Sequence, residues 1–327
     1  MPATRQLGPL PTLGLWAGLC LVGTLYATWH GYGGRAFAAT LTVFGFYALV
    51  MLMFAARGVS DGLGARLGIG GGIVLGSTAF LAYLVYAFGT ETFALTRVGA
   101  VALFVFGPLA LAASAQRAAA GAWQDFVLLA GVWVAVKFGP SHLVWPYPET
   151  KLAYAFTVLL ALNVALAVFV MMRPVGGIGY TIGWGQKWGL YVLASFCIFG
   201  CIAIPVGYWL HFIVFAPQWN AWKSVPLTAV AILFLTAWPE EFLFRGLLQN
   251  MLSRASKSDL AGWWTASVLF GFSHITNLGF PNWRYVILAS IAGLFYGWTW
   301  RKTGSIFASA IVHALVDVTW HFLFRTL

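Results

Sequence analysis

The sequence predicts an all-α protein, a polytopic transmembrane helix bundle of about 8–11 spans. Three observations carry that reading. Of 327 residues, 61% are hydrophobic and 8% charged, with a mean hydropathy of +0.85, whereas a soluble domain carries about 25% charged residues. The apolar residues gather in runs of roughly 20, the length that crosses a bilayer as a helix. Seventeen Trp and twelve Tyr, many near the ends of these runs, fit aromatic belts at the membrane interfaces.

In chain order the runs fall at 11–29, 36–56, 67–89, 97–115, 122–138, 152–172, 188–215, 225–253, 260–277, 283–300 and 304–325. Each is read as a helix because hydrocarbon offers no hydrogen bonds, and a helix satisfies its own backbone. The run at 122–138 is short and is expected to be re-entrant or partial. Residues 137–151, with Pro140, Pro146 and Pro148, read as a loop. The Gly-rich interruption from Pro174 to Lys187 marks a boundary between an N-terminal bundle, 1–180, and a C-terminal domain, 181–327. Neither a repeat nor a low-complexity segment interrupts this order. Basic residues lean weakly towards the loops on the N-terminal side, which places that side in the cytoplasm.

The formal net charge is +10, yet the basic residues stand singly between apolar runs, so no patch for nucleic acid forms. Their expected role is anchoring at the membrane face, with Arg173 among the inside anchors. Cys20, Cys197 and Cys201 lie in apolar runs and read as packing residues, because buried free cysteine behaves as a small hydrophobe. One Arg5 and no small-residue cleavage site precede the first run, which is therefore expected to be retained.

Only eight residues are acidic, and two of them, Glu240 and Glu241, sit side by side in an apolar run with Arg245. A charge at the bilayer centre costs roughly 2.5–3.5 kcal/mol or more, so such residues face the bundle interior and find partners. Candidate partners are His274 in one later run and His313 with Asp317 in another. At 1.5 Å per residue, Glu240 lies roughly 21 Å from Arg254, and His274 roughly 25 Å from Lys257. His313 and Asp317 lie roughly 16 and 22 Å from Lys302. The polar clusters thus reach a similar depth when their basic ends share one membrane face.

Spacing within the helices adds to this. Glu241 and Arg245 are four residues apart, in the favourable order for an intrahelical ion pair that neutralises Glu241. His313 and Asp317 repeat the spacing on one face, as do Phe270 and His274, where Phe270 is placed to wall a pocket. Pro239 removes a helical donor beside the carboxylates and is expected to kink the helix. A glutamate, two histidines and a second carboxylate can deprotonate water and stabilise the oxyanion formed at a carbonyl. The same residues can instead hold zinc with an open position for water. Each also has a structural reading, as an interhelical hydrogen bond or a buried ion pair.

The order Glu-Glu-x-x-x-Arg-Gly at 240–246, Phe-x-x-x-His at 270–274 and His-x-x-x-Asp at 313–317 resembles the CPBP family of intramembrane proteases. That family includes the CAAX prenyl endopeptidases and bacterial bacteriocin-processing and self-immunity proteins. Gly293, Gly297 and Thr303-Gly304-Ser305 also look like the linker between its second and last motifs, and the resemblance covers roughly residues 185–327. It implies a helical core with a catalytic cavity in which Glu240 activates water, His274 helps to hold it, and His313 with residue 317 forms the oxyanion site. Glu241 and Arg245 would support the first motif. The family is read both as metalloproteases and as metal-free glutamate peptidases. The metal-free form is favoured here because the first motif lacks a His-x-x-x-His pair; in the zinc form the ligands would be Glu240, His274 and His313. Many members carry Asn where this chain has Asp317. An ionised carboxylate would repel an oxyanion, so Asp317 must be protonated, orient His313 or bind a metal.

The reading that follows is an intramembrane endopeptidase acting on a membrane-associated protein or peptide, of the CAAX type or in peptide-precursor processing. Its expected place is a bacterial inner or plasma membrane, with the lipid bilayer as its surroundings and no nucleic acid as a partner. A non-catalytic scaffold or immunity protein of the same fold is the alternative. An ion-coupled transporter is a third, disfavoured because the buried charges cluster in the last third of the chain.

Overall fold

The runs of apolar residues are helices throughout the computed structural model, which describes residues 5–148 and 150–327. Glu149, inside the strip expected as a loop, lies outside the described residues. Eight helices are long and apolar enough to cross a membrane, among the described residues. The chain divides into two compact units, Gln6–Gly176 and a second that contains Gly177–Leu327.

The N-terminal unit starts with α1, Pro9–Trp29, whose first residue is a proline, tolerated there because that N–H has no helical acceptor. Then come α2, Gly34–Ala55, α3, Val59–Gly89, and α4, Leu95–Ser114. Gly68 breaks the regular geometry of α3 with φ of 46° and ψ of −130°, and the stretch Arg66–Gly89 is long and apolar enough to span. At 16 residues, α5, Trp123–Phe138, is too short to cross alone, as its sequence suggested. The strip expected as a loop contains a single-turn helix α6, Ser141–Val144. Helix α7, Thr150–Leu166, continues through a wide turn, Ala167–Met172, as the most buried span of this unit.

Two features organise this unit. Trp145, on the loop before α7, is fully buried, with its ring edge-on to Tyr83 and stacked on Phe156 at 5.2 Å. Arg173, expected as an exposed anchor, is instead buried in an ion pair with Asp125, donating to Oδ2 at 2.9 Å and to the Ala119 carbonyl at 3.0 Å. A charge at the end of a span reads as an interface anchor unless a partner reaches it, and here Asp125 does.

In the C-terminal unit a buried segment around Ile178–Ile182 leads to α8, Trp188–Trp209. Helix α9, Trp219–Ser256, is 38 residues long. It is followed by α10, Asp259–Phe272, α11, Trp283–Thr303, and α12, Ile306–Leu323. Each of the last three is capped: Ser258 accepts from Ala261 N, Asn282 from Tyr285 N and Ser305 from Ala308 N. Helices α10 and α11 fall outside the eight spans, the first because it has 14 residues and the second because Arg284, Arg301 and Lys302 occupy its ends. That puts the span count at the lower end of the expected range.

A short antiparallel ribbon closes the unit: β1, Ile213–Phe215, pairs with β2, Phe324–Thr326, in the register Val214 to Arg325. Small residues let α9, α10 and α11 approach closely. A Cβ on Gly293 would lie 3.0 Å from the Ser267 carbonyl oxygen, and one on Gly297 2.5 Å from Gln249 Oε1. In place of a sharp kink at Pro239, α9 widens into π-type turns at Leu233–Ala237 and Phe242–Gln249, on either side of Trp238–Glu241. Such turns absorb a missing donor, and they recur at functional sites.

Candidate active site

The wide turns of α9 set Glu240 and Glu241 in different surroundings. Glu241 is fully buried, whereas the Glu240 side chain keeps 23% exposure. Glu240 lines a cavity of about 370 Å³ together with His274, Asn277, Tyr285, Tyr296, His313 and Asp317. The structure therefore brings the acid of α9, the histidine just beyond α10 and the His–Asp pair of α12 to one place. Every residue lining the cavity falls within Gly177–Leu327. Apolar side chains complete it, among them Phe199, Phe212, Leu288, Val316 and Trp320.

His313 is at the centre. Its Nδ1 stands 2.9 Å from Glu241 Oε1. Its Nε2 stands 3.5 Å from Asp317 Oδ2 and 4.0 Å from Glu240 Oε2. The Tyr296 ring stacks on the imidazole at 4.5 Å and 18°, and Phe270 meets it edge-on at 5.8 Å. The carboxylate accepts the Nδ1 proton, which fixes the ring and turns Nε2 towards the cavity residues. His274 is oriented by its own backbone: Nδ1 is 2.9 Å from the Phe270 carbonyl oxygen. Its ring lies 5.0 Å from Tyr285.

Arg245 is fully buried and pairs with Glu241 at 3.2 Å, as the four-residue spacing suggested. Its nitrogens meet no aligned hydrogen-bond acceptor among the described residues. Its charge lies instead over aromatic faces, 4.6 Å from the Phe270 ring centre and 5.6 Å from that of Tyr296. Phe270 thus walls the cavity and also covers the cation.

Two neighbours were missed in the sequence reading. Ser309 Oγ lies 2.5 Å from Glu241 Oε2 and 2.8 Å from the Tyr296 carbonyl oxygen. It was visible in principle, since 309, 313 and 317 repeat at four residues on one helical face. The stacking of Tyr296 depends on how α11 meets α12 and left no local signal.

The residues do not fit a zinc site. Among the described residues, no three His, Cys, Asp or Glu side chains gather as ligands. His313 Nδ1 is committed to Glu241, its Nε2 faces carboxylate oxygens at 3.5 and 4.0 Å, and His274 Nδ1 is committed to a backbone carbonyl. Three ligands converging at about 2.0–2.2 Å from one point are what zinc requires. The metal-free arrangement is the one followed below, and no step runs through a metal.

Residues 221–319 match the family described as type II CAAX prenyl endopeptidase Rce1-like. The resemblance read from the three motifs is borne out over that stretch, which is similar to intramembrane proteases of the CAAX type. No curated protein and no solved structure matches the chain.

Proposed function

We propose that this multi-pass membrane protein is an endopeptidase that hydrolyses a peptide bond of a membrane-associated protein or peptide with water activated by Glu240. One observation carries the reading: Glu240, His274, His313 and Asp317 line one cavity, with His313 Nε2 between the two carboxylates. Glu240 is the partly exposed acid, placed to take a proton from water, while its buried neighbour is engaged elsewhere. The water oxygen then bonds to the scissile carbonyl carbon. The oxyanion forms beside His313 Nε2, which stabilises it as an N–H donor, so His313 acts with both nitrogens protonated, and His274 holds the water. Glu240 returns its proton to the departing amine, the C–N bond breaks, and no covalent enzyme intermediate arises. Asp317, 3.5 Å from Nε2, orients that nitrogen.

The reaction is assigned to residues 181–327, which include the family match, and the bundle of 1–180 is left as a membrane domain of separate role. A bacterial plasma membrane is its proposed place, since the resembled family includes bacterial peptide-processing members. The test is cleavage of a panel of membrane-anchored peptides, including CAAX-type ones, by purified wild type and Glu240→Gln. Cleavage by wild type alone supports the reading. Equal cleavage by both proteins overturns it.

A further inference from the structure

Glu241 has two competing neighbours. Arg245 stands 3.2 Å away, but its nitrogens lack an aligned acceptor, so it attracts the carboxylate without fixing its direction. Ser309 donates to Oε2, the same oxygen that Arg245 approaches, at 2.5 Å, while His313 Nδ1 meets Oε1 at 2.9 Å. Ser309 is fully buried and sits one helical turn before His313 on α12, so serine and histidine share a rigid frame. The Tyr296 carbonyl oxygen, 2.8 Å from Oγ, is the other acceptor within reach of the one hydroxyl proton, which the nearer, charged carboxylate takes.

We infer that Ser309 is a positioning residue whose hydroxyl pins Glu241 Oε2, the oxygen that Arg245 approaches without alignment, and so keeps Oε1 on His313 Nδ1 and the Nε2 edge facing Glu240 and Asp317. Without the hydroxyl, the carboxylate is free to turn into better alignment with the guanidinium, Oε1 leaves Nδ1, and the Nδ1 proton loses its acceptor. The catalytic part of this inference rests on the endopeptidase reading. The Nδ1 hydrogen bond of His313 does not.

The experiment uses the full chain in detergent with ¹⁵N-labelled histidine, comparing wild type, Ser309→Ala and Ser309→Cys, the last preserving volume with a weak donor. The expected result is a strongly hydrogen-bonded Nδ1–H signal for His313 in wild type and a weakened one in both variants. In parallel, kcat falls on the order of tenfold to a hundredfold with KM little changed, the range seen when a residue that orients a functional histidine is removed. Adding Ser309→Ala to Glu241→Gln causes no further loss, because both act through one contact. An unchanged His313 pattern, or full additivity with Glu241→Gln, overturns the inference. Should wild type cleave none of the peptides, the ¹⁵N pattern still decides the role of Ser309, and only the proposed reaction fails. Should Ser309→Ala not fold, Ser309→Cys gives the same reading.

Discussion

Glu241 Oε1 lies 2.9 Å from His313 Nδ1, so the second glutamate of the Glu-Glu pair acts through a histidine 72 residues later in the chain. The two adjacent acids divide their work by burial. Glu241, with no exposure, orients His313 and pairs with Arg245, whereas Glu240, with 23% exposure, reaches the cavity.

Glu240→Gln is therefore expected to fold normally and to lose cleavage. Removing a general base costs about 10²–10⁴ in rate. The amide has the same size and sits at a partly open position, so the midpoint of thermal unfolding should scarcely move. Parallel melting curves and kcat measurements check both halves. A large drop in unfolding midpoint would point to a structural glutamate.

Glu241→Ala should behave differently. It leaves Arg245 buried without its counter-ion, a change that costs about 3–5 kcal/mol in buried pairs. Unfolding in denaturant, followed in detergent, should show that loss together with lost cleavage. If stability is unchanged, the aromatic faces of Phe270 and Tyr296 suffice to hold the cation.

How much of this was legible in the sequence follows from what is local. Apolar runs of bilayer length became the helices, and the shortness of 122–138 became the 16-residue α5. Intervals of four residues announced Glu241–Arg245 and His313–Asp317, because a helix turns them onto one face. Contacts made across helices carried no such signature. Asp125 and Arg173 are 48 residues apart, each at the end of an apolar run, where a charge reads as an interface anchor. Trp145 sits between prolines in the strip expected as a loop, yet three tyrosines and Phe156 enclose it. The wide turns around Pro239 were foreseen only as a kink, since a proline reports a missing donor and not how the helix repairs it.

Asp317 offers a third test, because an amide is common at its position in the resembled family. The side chain is 36% exposed and 3.5 Å from His313 Nε2. If Asp317 serves to orient that nitrogen and bound water, Asp317→Asn should keep kcat within about tenfold, while Asp317→Ala, which removes the polar group, should fall further. The reverse order would show that the carboxylate's charge or proton is needed in the reaction.

Cleavage is also expected to survive a strong chelator. The side chains near His313 are arranged as hydrogen-bond partners, with both committed Nδ1 atoms turned away from any shared centre. Activity lost on chelation and restored by zinc would refute this and require His274 and His313 to reorient.

The last prediction concerns the packing that carries His274 to the site. Gly271 lies on α10 against α11, where an added Cβ would press on Ser290 Oγ and come 2.5 Å from the Val286 carbonyl oxygen. A backbone atom of a packed helix cannot turn aside, so Gly271→Val must push the helices apart, with a cost of about 1–3 kcal/mol for overpacking. His274 follows three residues later, its amide bonded to the Gly271 carbonyl at 3.0 Å and its ring 5.0 Å from Tyr285 of α11. A shift there alters the distance from His274 to the α12 residues, and a displacement of about 1 Å at reacting groups can cost on the order of a hundredfold in rate. Gly271→Val should thus lower kcat far more than its modest destabilisation explains. Gly262→Val is the control, since it strains α10 against Ser253 of α9, at the end of α10 away from His274. Equal losses of kcat in the two variants, at equal stability, would show that the effect is general loosening of the bundle and not displacement of the histidine.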